Sequence, residues 1–154
     1  MKIYLASSFS LIPRIEAVCK ELESVGHEIT VKWWERLHLK MDLAPLSPEV
    51  FYNHPETAYA YNRDFKGIVD ADILVFVADE KERSFNGANV ELGIALALNK
   101  PCFCVGVLPN SALYYPVIFT KDIQDLVQSI YHYEKGLMEL KVNQKRKEVH
   151  GGFW

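Results

Sequence analysis

The stretch Ala71-Asp72-Ile73-Leu74-Val75-Phe76-Val77-Ala78, then Gly87-Ala88-Asn89-Val90-Glu91-Leu92-Gly93-Ile94-Ala95-Leu96-Ala97-Leu98, Asn99-Lys100-Pro101 and Cys102-Phe103-Cys104-Val105-Gly106-Val107 sets the architecture. The first segment is a short, continuous β-rich run, the signature of a strand buried on both faces of a parallel sheet. A polar loop from Asp79 to Asn86 ends at Gly87. The helix expected from about Ala88 to Leu98 is apolar almost all round and stops at Asn99-Lys100-Pro101, before a second strand from Cys102 to Val107. Strand, helix, strand of this kind is a βαβ unit.

The flanks extend the pattern. Ile3 to Ala6 reads as a strand closed by the small polar turn Ser7-Ser8, with Ser10 and Pro13 placed as N-cap and first-turn residue of a helix. That helix carries Ile15, Val18, Cys19 and Leu22 at i, i+3, i+4, i+7, and Gly26 is its expected stop. Glu28 to Trp34 alternates as a strand, Ile29, Val31 and Trp33 on one side and Thr30, Lys32 and Trp34 on the other. Arg36 to His54, with Pro45, Pro48 and Pro55 around it, reads as a long loop with little regular structure. Glu56 to Val69 is expected to be helical, with Ala58, Tyr61, Phe65 and Ile68 on one side. A weak strand at Val117 to Phe119 and a helix from about Lys121 to Leu140 complete one domain over residues 1–140, followed by a polar, mobile tail from Lys141 to Trp154. The fold class is α/β with a parallel sheet.

Composition agrees with one globular domain: 154 residues, 49% of them hydrophobic, with 17 Lys and Arg against 20 Asp and Glu. The slight acidic excess argues against a nucleic-acid or membrane-surface binder, which needs a basic face. No apolar run approaches the ~20 residues that span a bilayer, and the N-terminus lacks signal-peptide organisation. The cytoplasm is the expected location. Cys19, Cys102 and Cys104 read as reduced core residues, and His27, His38, His54, His132 and His150 show no metal-ligand spacing. No metal and no cofactor is expected.

In an open parallel sheet, ligands sit at the carboxyl ends of strands. Ser7 to Ser10, Asp79 to Glu91 and Val107 to Tyr115 lie there. Glu91, about one turn into an otherwise apolar helix, faces either solvent or a pocket, and a carboxylate among apolar groups is partnered or functional. Asp64 lies near a partly buried helix face. Two carboxylates converging on one cleft form the arrangement that cleaves glycosidic bonds.

Lys2-Ile3-Tyr4-Leu5-Ala6, Tyr61-Asn62-Arg63-Asp64-Phe65-Lys66-Gly67-Ile68 with Ala71-Asp72-Ile73-Leu74-Val75, Gly87-Ala88-Asn89-Val90-Glu91-Leu92-Gly93-Ile94-Ala95 and Asn99-Lys100-Pro101 together resemble the nucleoside 2-deoxyribosyltransferase-like family, in order from Met1 to about Ile130. The resemblance implies a flavodoxin-like or Rossmann-like three-layer sandwich with a mostly parallel five-stranded sheet. It implies Glu91 as the nucleophile at C1′ of the (deoxy)ribose, Asp64 at the base side assisting protonation or orientation of the leaving nucleobase, and Tyr4 hydrogen-bonding the nucleophile. Chemistry suits these roles: an oxocarbenium-like sugar is stabilised by an anion below C1′, and the leaving nitrogen needs a proton or hydrogen bond. Gly87 and Gly93 are read as leaving room for close approach.

Phe9, Trp33 and Trp34 are candidates to stack on a base, at least one of the tryptophans being expected in the core. Family members either transfer deoxyribose between nucleobases or hydrolyse nucleoside 5′-monophosphates. Ser7, Ser8, Ser84 and Ser111 are candidate phosphate-subsite residues, and the resemblance places Asn110 at the 5′ end of the substrate, across a subunit contact. Asn89 is counted with the substrate-binding residues. Where many transferases carry extra acids this chain has Phe85 and Asn86, so Tyr114, Tyr115 and the terminal Phe153-Trp154 are the aromatic candidates to supply missing base contacts. The implied partners are a small nucleoside or nucleotide and other copies of the chain, as a homodimer or larger assembly. Neither Gly-x-Gly-x-x-Gly nor a Walker sequence follows the first strand, which leaves a non-catalytic nucleotide-binding module and hydrolysis of NAD-like dinucleotides as rival readings.

Overall fold

The computed structural model describes residues 1–36, 46–82, 85–108 and 114–136. Five strands, β1 (Lys2–Ala6), β2 (Glu28–Ile29), β3 (Ile73–Val77), β4 (Cys102–Val105) and β5 (Ile118–Thr120), form one sheet in the order β2-β1-β3-β4-β5. Every pairing is parallel. Ile73 to Phe76 pair with Ile3 to Ala6 on one side, and Leu74 to Val77 pair with Cys102 to Val105 on the other. All five residues of β3 are buried, as a central strand covered on both faces requires.

Among the described residues five helices, α1 (Ile12–Ser24), α2 (Pro48–Asn53), α3 (Pro55–Asp70), α4 (Asn86–Ala97) and α5 (Ile123–Glu134), accompany the sheet. Helices α1 and α5 pack together beside β2, β4 and β5, while α3 and α4 pack together against β1 and its neighbours. The result is the expected three-layer α/β sandwich, its core lying where Ile3, Leu5, Val75 and Phe103 meet Ile15, Leu22, Leu92 and Ile130.

Local chemistry explains the boundaries. Helix α1 ends at Ser24 with Val25 as its C-cap, and Gly26 at φ +92° reverses the chain, a conformation costly for any residue with a Cβ. Its start differs from expectation: Ser8 precedes a 3-10 turn over Phe9–Leu11, and Leu11, not Ser10, stands at the cap. Strand β2 is also shorter than its alternating pattern implies, because Trp33–Arg36 coil into a second 3-10 turn. Trp33 drives this: its indole N–H donates to the Leu5 carbonyl at 2.7 Å, so the ring is pinned under β1. The expected long loop contains α2, whose cap Ser47 accepts from the Val50 N–H. Helix α3 turns a different stripe inward from the one expected. Gly67 and Ile68 are buried, whereas Tyr61 and Phe65 are exposed and stack on each other at 5.9 Å. Residues 137–154, including the expected tail, lie outside the described residues.

Among the described residues no helix is long and apolar enough to cross a membrane. Cys19, Cys102 and Cys104 are buried free thiols.

Candidate active site

The strand order places its reversal between β1 and β3, and a crevice opens where connections leave neighbouring carboxyl ends in opposite directions. Here the turn after β1 (Ser7, Ser8) and the helix after β3 (α4) face one another. A cavity of about 240 Å³ lies between them, lined by Ser7, Ser8, Phe9, Trp33, Phe85, Asn86, Gly87, Ala88 and Glu91. Sequence-predicted Ser7, Ser8, Phe9, Trp33, Gly87 and Glu91 thus share one space.

Glu91 is the one charged residue of α4, half-buried on a helix otherwise of small and aliphatic residues and two asparagines. The Tyr4 hydroxyl donates to its Oε1 at 2.9 Å. Tyr4 comes from the middle of β1 and is fully buried. Burial, followed by the negative charges of Glu91 and Asp64, pushes the phenol far above its ordinary pKa, against a smaller lowering by Arg63. The phenol is therefore a fixed neutral donor that holds one oxygen of Glu91.

Asp64 approaches the same tyrosine from α3 rather than from the cavity wall. Its carboxylate and the Arg63 guanidinium are both largely buried, with Arg63 Nε donating to Oδ1 at 2.8 Å and Nη2 at 2.7 Å from the same oxygen. Tyr4 thus lies within electrostatic reach of both acids and of Arg63. The close approach of α3 to β1 depends on Gly67, where an added Cβ would fall 2.4 Å from Val31 Cγ2 and 3.2 Å from the Tyr4 ring.

The aromatic lining is built in layers. Phe9 meets Trp33 edge-on at 5.2 Å, Trp33 meets Trp34 edge-on at 5.5 Å, and Trp34 lies in the core. Phe9 is 42% exposed at the cavity despite its apolar ring. Phe85, on the opposite wall, packs on Phe76 at 5.2 Å. Both Phe85 and Asn86 were read only as departures from a pattern, yet they line the space; an apolar residue preceding a helix where a capping side chain is favoured was the signal. Arg63 was missed because a surface cation beside an acid is the commonest arrangement on a helix.

Other candidates fall elsewhere. Asn89 is exposed, accepts from the Tyr114 hydroxyl at 3.0 Å, and is not among the described residues that line the cavity. Tyr115 is exposed. A Cβ at Gly87 meets nothing within 4 Å, in keeping with its place on the cavity wall. Gly93 corrects an expectation: it is exposed, and a Cβ there also meets nothing within 4 Å, so no close approach within the chain requires it. Ser84, Asn110, Ser111 and Phe153-Trp154 lie outside the described residues. Among the described residues no group of three or more His, Cys, Asp or Glu is placed to hold a metal ion.

Comparison with known proteins agrees with this architecture. A 2-deoxyribosyltransferase from Bacillus psychrosaccharolyticus superposes with a TM-score of 0.60 at 21% identity, over 82% of this chain and 90% of that one. A CMP N-glycosidase from Clostridium botulinum superposes with a TM-score of 0.54 at 15% identity, over 84% of this chain and 98% of that one. Among curated proteins none matches the chain. The sequence model for nucleoside 2-deoxyribosyltransferases matches residues 3–138, and the chain belongs to the nucleoside 2-deoxyribosyltransferase family.

Proposed function

We propose that the protein cleaves the N-glycosidic bond of a (deoxy)nucleoside and passes the sugar to a second nucleobase or to water, with Glu91 as nucleophile. The observation that carries this reading is a carboxylate on a cavity wall, held by a buried phenol that stays neutral. A sugar seated in the cavity meets Glu91 below C1′. As the C1′–N bond breaks, its electron pair leaves with the base, and positive charge on the sugar is met by the Glu91 oxygen, giving a glycosyl ester. An acceptor nitrogen or water then attacks C1′, loses its proton to the medium or to the departed base, and releases Glu91. Two displacements at one carbon retain its configuration.

Tyr4 keeps the second oxygen of Glu91 from swinging away, which concentrates attack on one geometry. Asp64, oriented by Arg63, takes the base side, where it positions the leaving nucleobase. Phe9, Trp33 and Phe85 supply the flat apolar surfaces that a base requires. Membership of the family supports the reaction class, and the folds shared with a deoxyribosyltransferase and with a CMP N-glycosidase support both transfer and hydrolysis as outcomes of one glycosyl intermediate.

The test is a panel of ribo- and deoxyribonucleosides and their 5′-monophosphates, incubated with and without a free acceptor base and assayed for released base and new nucleoside. Wild-type protein is expected to release base, and Glu91→Ala to lose at least about a thousandfold in rate with its fold intact. A Glu91→Ala variant as active as wild type removes the mechanism. Inertness of the wild type across the panel favours a binding module instead.

A further inference from the structure

We propose that a groove at the amino end of the sheet, between the end of α1 and α5, is a second binding site, built for a small, flat, neutral cyclic amide of the kind a pyrimidine base presents, with His27 Nε2 as donor and Glu134 as acceptor. The inference stands apart from the catalytic reading of the other cavity. The groove encloses about 280 Å³ and is lined by Val25, His27, Val127, Gln128, Tyr131 and Glu134. Val25 and His27 follow α1, and the other four lie on α5. None of the six lines the cavity of Glu91. His27 touches Met1 at the start of β1, whereas Ser7 follows its end, so the five residues of the strand, at about 3.3 Å each, separate the two sites.

His27 decides the chemistry. Its side chain is 8% exposed, and the Met1 nitrogen donates to Nδ1 at 3.2 Å. A ring nitrogen that accepts carries no proton, so in the neutral imidazole the proton sits on Nε2. Burial, and then the Met1 charge, favour that neutral ring against the opposing pull of Glu134. Among the described residues Nε2–H has no partner, yet it is not one of the sealed, unpartnered atoms of the interior; it opens to the groove that His27 lines. A donor on a largely buried ring favours any ligand that brings it an acceptor. Glu134 stands beside it, with Oε1 3.6 Å from the Met1 nitrogen and 3.9 Å from His27 Nδ1, which leaves Oε2 without a partner among the described residues.

A donor and an acceptor side by side select a ligand edge that carries an acceptor next to an N–H, which is the C(=O)–N–H edge of a cyclic amide. Other classes fail on one group or the other. Carboxylates and phosphates are repelled by Glu134, an alkylammonium offers Nε2–H nothing to donate to, and a hydrocarbon leaves both polar groups unmet. The half-exposed rings and methyls of Tyr131 and Val25, with Val127, give the flat faces of such a ligand apolar surface to cover. The volume falls just short of the roughly 300–1,000 Å³ typical of drug-sized pockets, which suits one ring system rather than a nucleotide.

The test uses uracil as probe and 1,3-dimethyluracil as control; the control keeps both carbonyls, lacks any N–H and is the more apolar, so a merely greasy groove would prefer it. Full-length protein is labelled with nitrogen-15 histidine, and the His27 ring signals are identified by their absence from His27→Gln. Uracil is expected to move the His27 Nε2 signal saturably with a Kd on the order of 1 mM or tighter. Dimethyluracil is expected to bind at least about tenfold more weakly, and Glu134→Ala, a surface truncation whose fold a melting curve checks, to weaken uracil about tenfold. Glu91→Ala, at the other cavity, is expected to leave uracil binding within about twofold of wild type. A His27 signal that stays still at about ten times the expected Kd overturns the proposal. So do equal binding of the two pyrimidines, binding indifferent to Glu134→Ala, and binding lost in Glu91→Ala. A His27 response in a protein whose wild type releases no base from any nucleoside upholds this site and sinks the catalytic reading. Base release by a protein whose His27 never responds does the reverse.

Discussion

Tyr4 shows how much chemistry one buried group carries. Its hydroxyl is the described donor to Glu91 Oε1, and a hydrogen bond to a charged acceptor contributes about 1.5–3 kcal/mol. Tyr4→Phe keeps the ring packed on Gly67 while removing the donor. The expected result is a fall in kcat of about ten- to a hundredfold, with little change in KM and a melting temperature within a few degrees of wild type. Steady-state kinetics and a thermal scan check both. The raised pKa of Tyr4 has a sign that is also testable: the folded state keeps its proton where an exposed tyrosine, with its ordinary pKa of 10.0, loses it. In a spectrophotometric titration, the difference between wild type and Tyr4→Phe is expected to show no tyrosinate from this residue below pH 10. Tyrosinate appearing in that difference at lower pH would remove the neutral donor from the mechanism. Tyr4 and Glu91 were each legible in sequence as members of motif blocks. Their 2.9 Å contact spans 87 positions along the chain and needs β1 and α4 to be brought together.

Helices α3 and α4 make opposite demands on glycine. At Gly67 the helix lies so close to β1 that a methyl group would collide with Val31 and press on the Tyr4 ring. At Gly93 the helix surface is open. Gly93→Ala is therefore expected to stabilise by up to about 1 kcal/mol through helix propensity alone. Gly67→Ala should gain the same propensity term and still destabilise by about 1–3 kcal/mol through overpacking, with activity falling further than stability because Tyr4 moves. Denaturant melts of the two variants, with activity measured where both are folded, check the contrast; equal effects would mean that α3 yields to relieve the clash. Periodicity marked α3 as a helix but not which face it buries. Tyr61 and Phe65 satisfy an apolar stripe in sequence, yet the small residue at 67 lets the face bearing Arg63, Asp64 and Ile68 approach the sheet. Trp33 behaves similarly: an alternating pattern reads as strand, and the indole bond to Leu5 turns the chain into a 3-10 coil.

For the molecule as a whole, buried titratable groups define a stability window. Burial pushes the Cys102 and Cys104 thiols up to about 12 and Cys19 up to about 11, from an ordinary thiol value of 9.0. The unfolded chain releases these protons first, so their contribution is present below pH 9 and is lost above it at about 1.4 kcal/mol per thiol per pH unit. His27 is shifted the other way, held below the ordinary imidazole value of 6.5 by burial and then by the Met1 ammonium at 3.2 Å, against the opposing charge of Glu134. Its unfolded form binds a proton that the folded form refuses, so stability declines as pH falls below 6.5. The melting temperature is expected to be flat between about pH 6.5 and 9 and to drop on either side, and a thiol-specific reagent at pH 8 is expected to label the cysteines only after denaturation. Rapid labelling of native protein would overturn the assignment of all three to the core. The parallel α/β architecture was readable from the chain because a strand covered on both faces must be continuously apolar and a βαβ crossover must place a helix after it, and β3, α4 and β4 meet both conditions in consecutive residues. The order β2-β1-β3-β4-β5 and the side from which Asp64 approaches Tyr4 depend on contacts between segments tens of residues apart, and no local pattern encodes which of many compatible neighbours a side chain will meet.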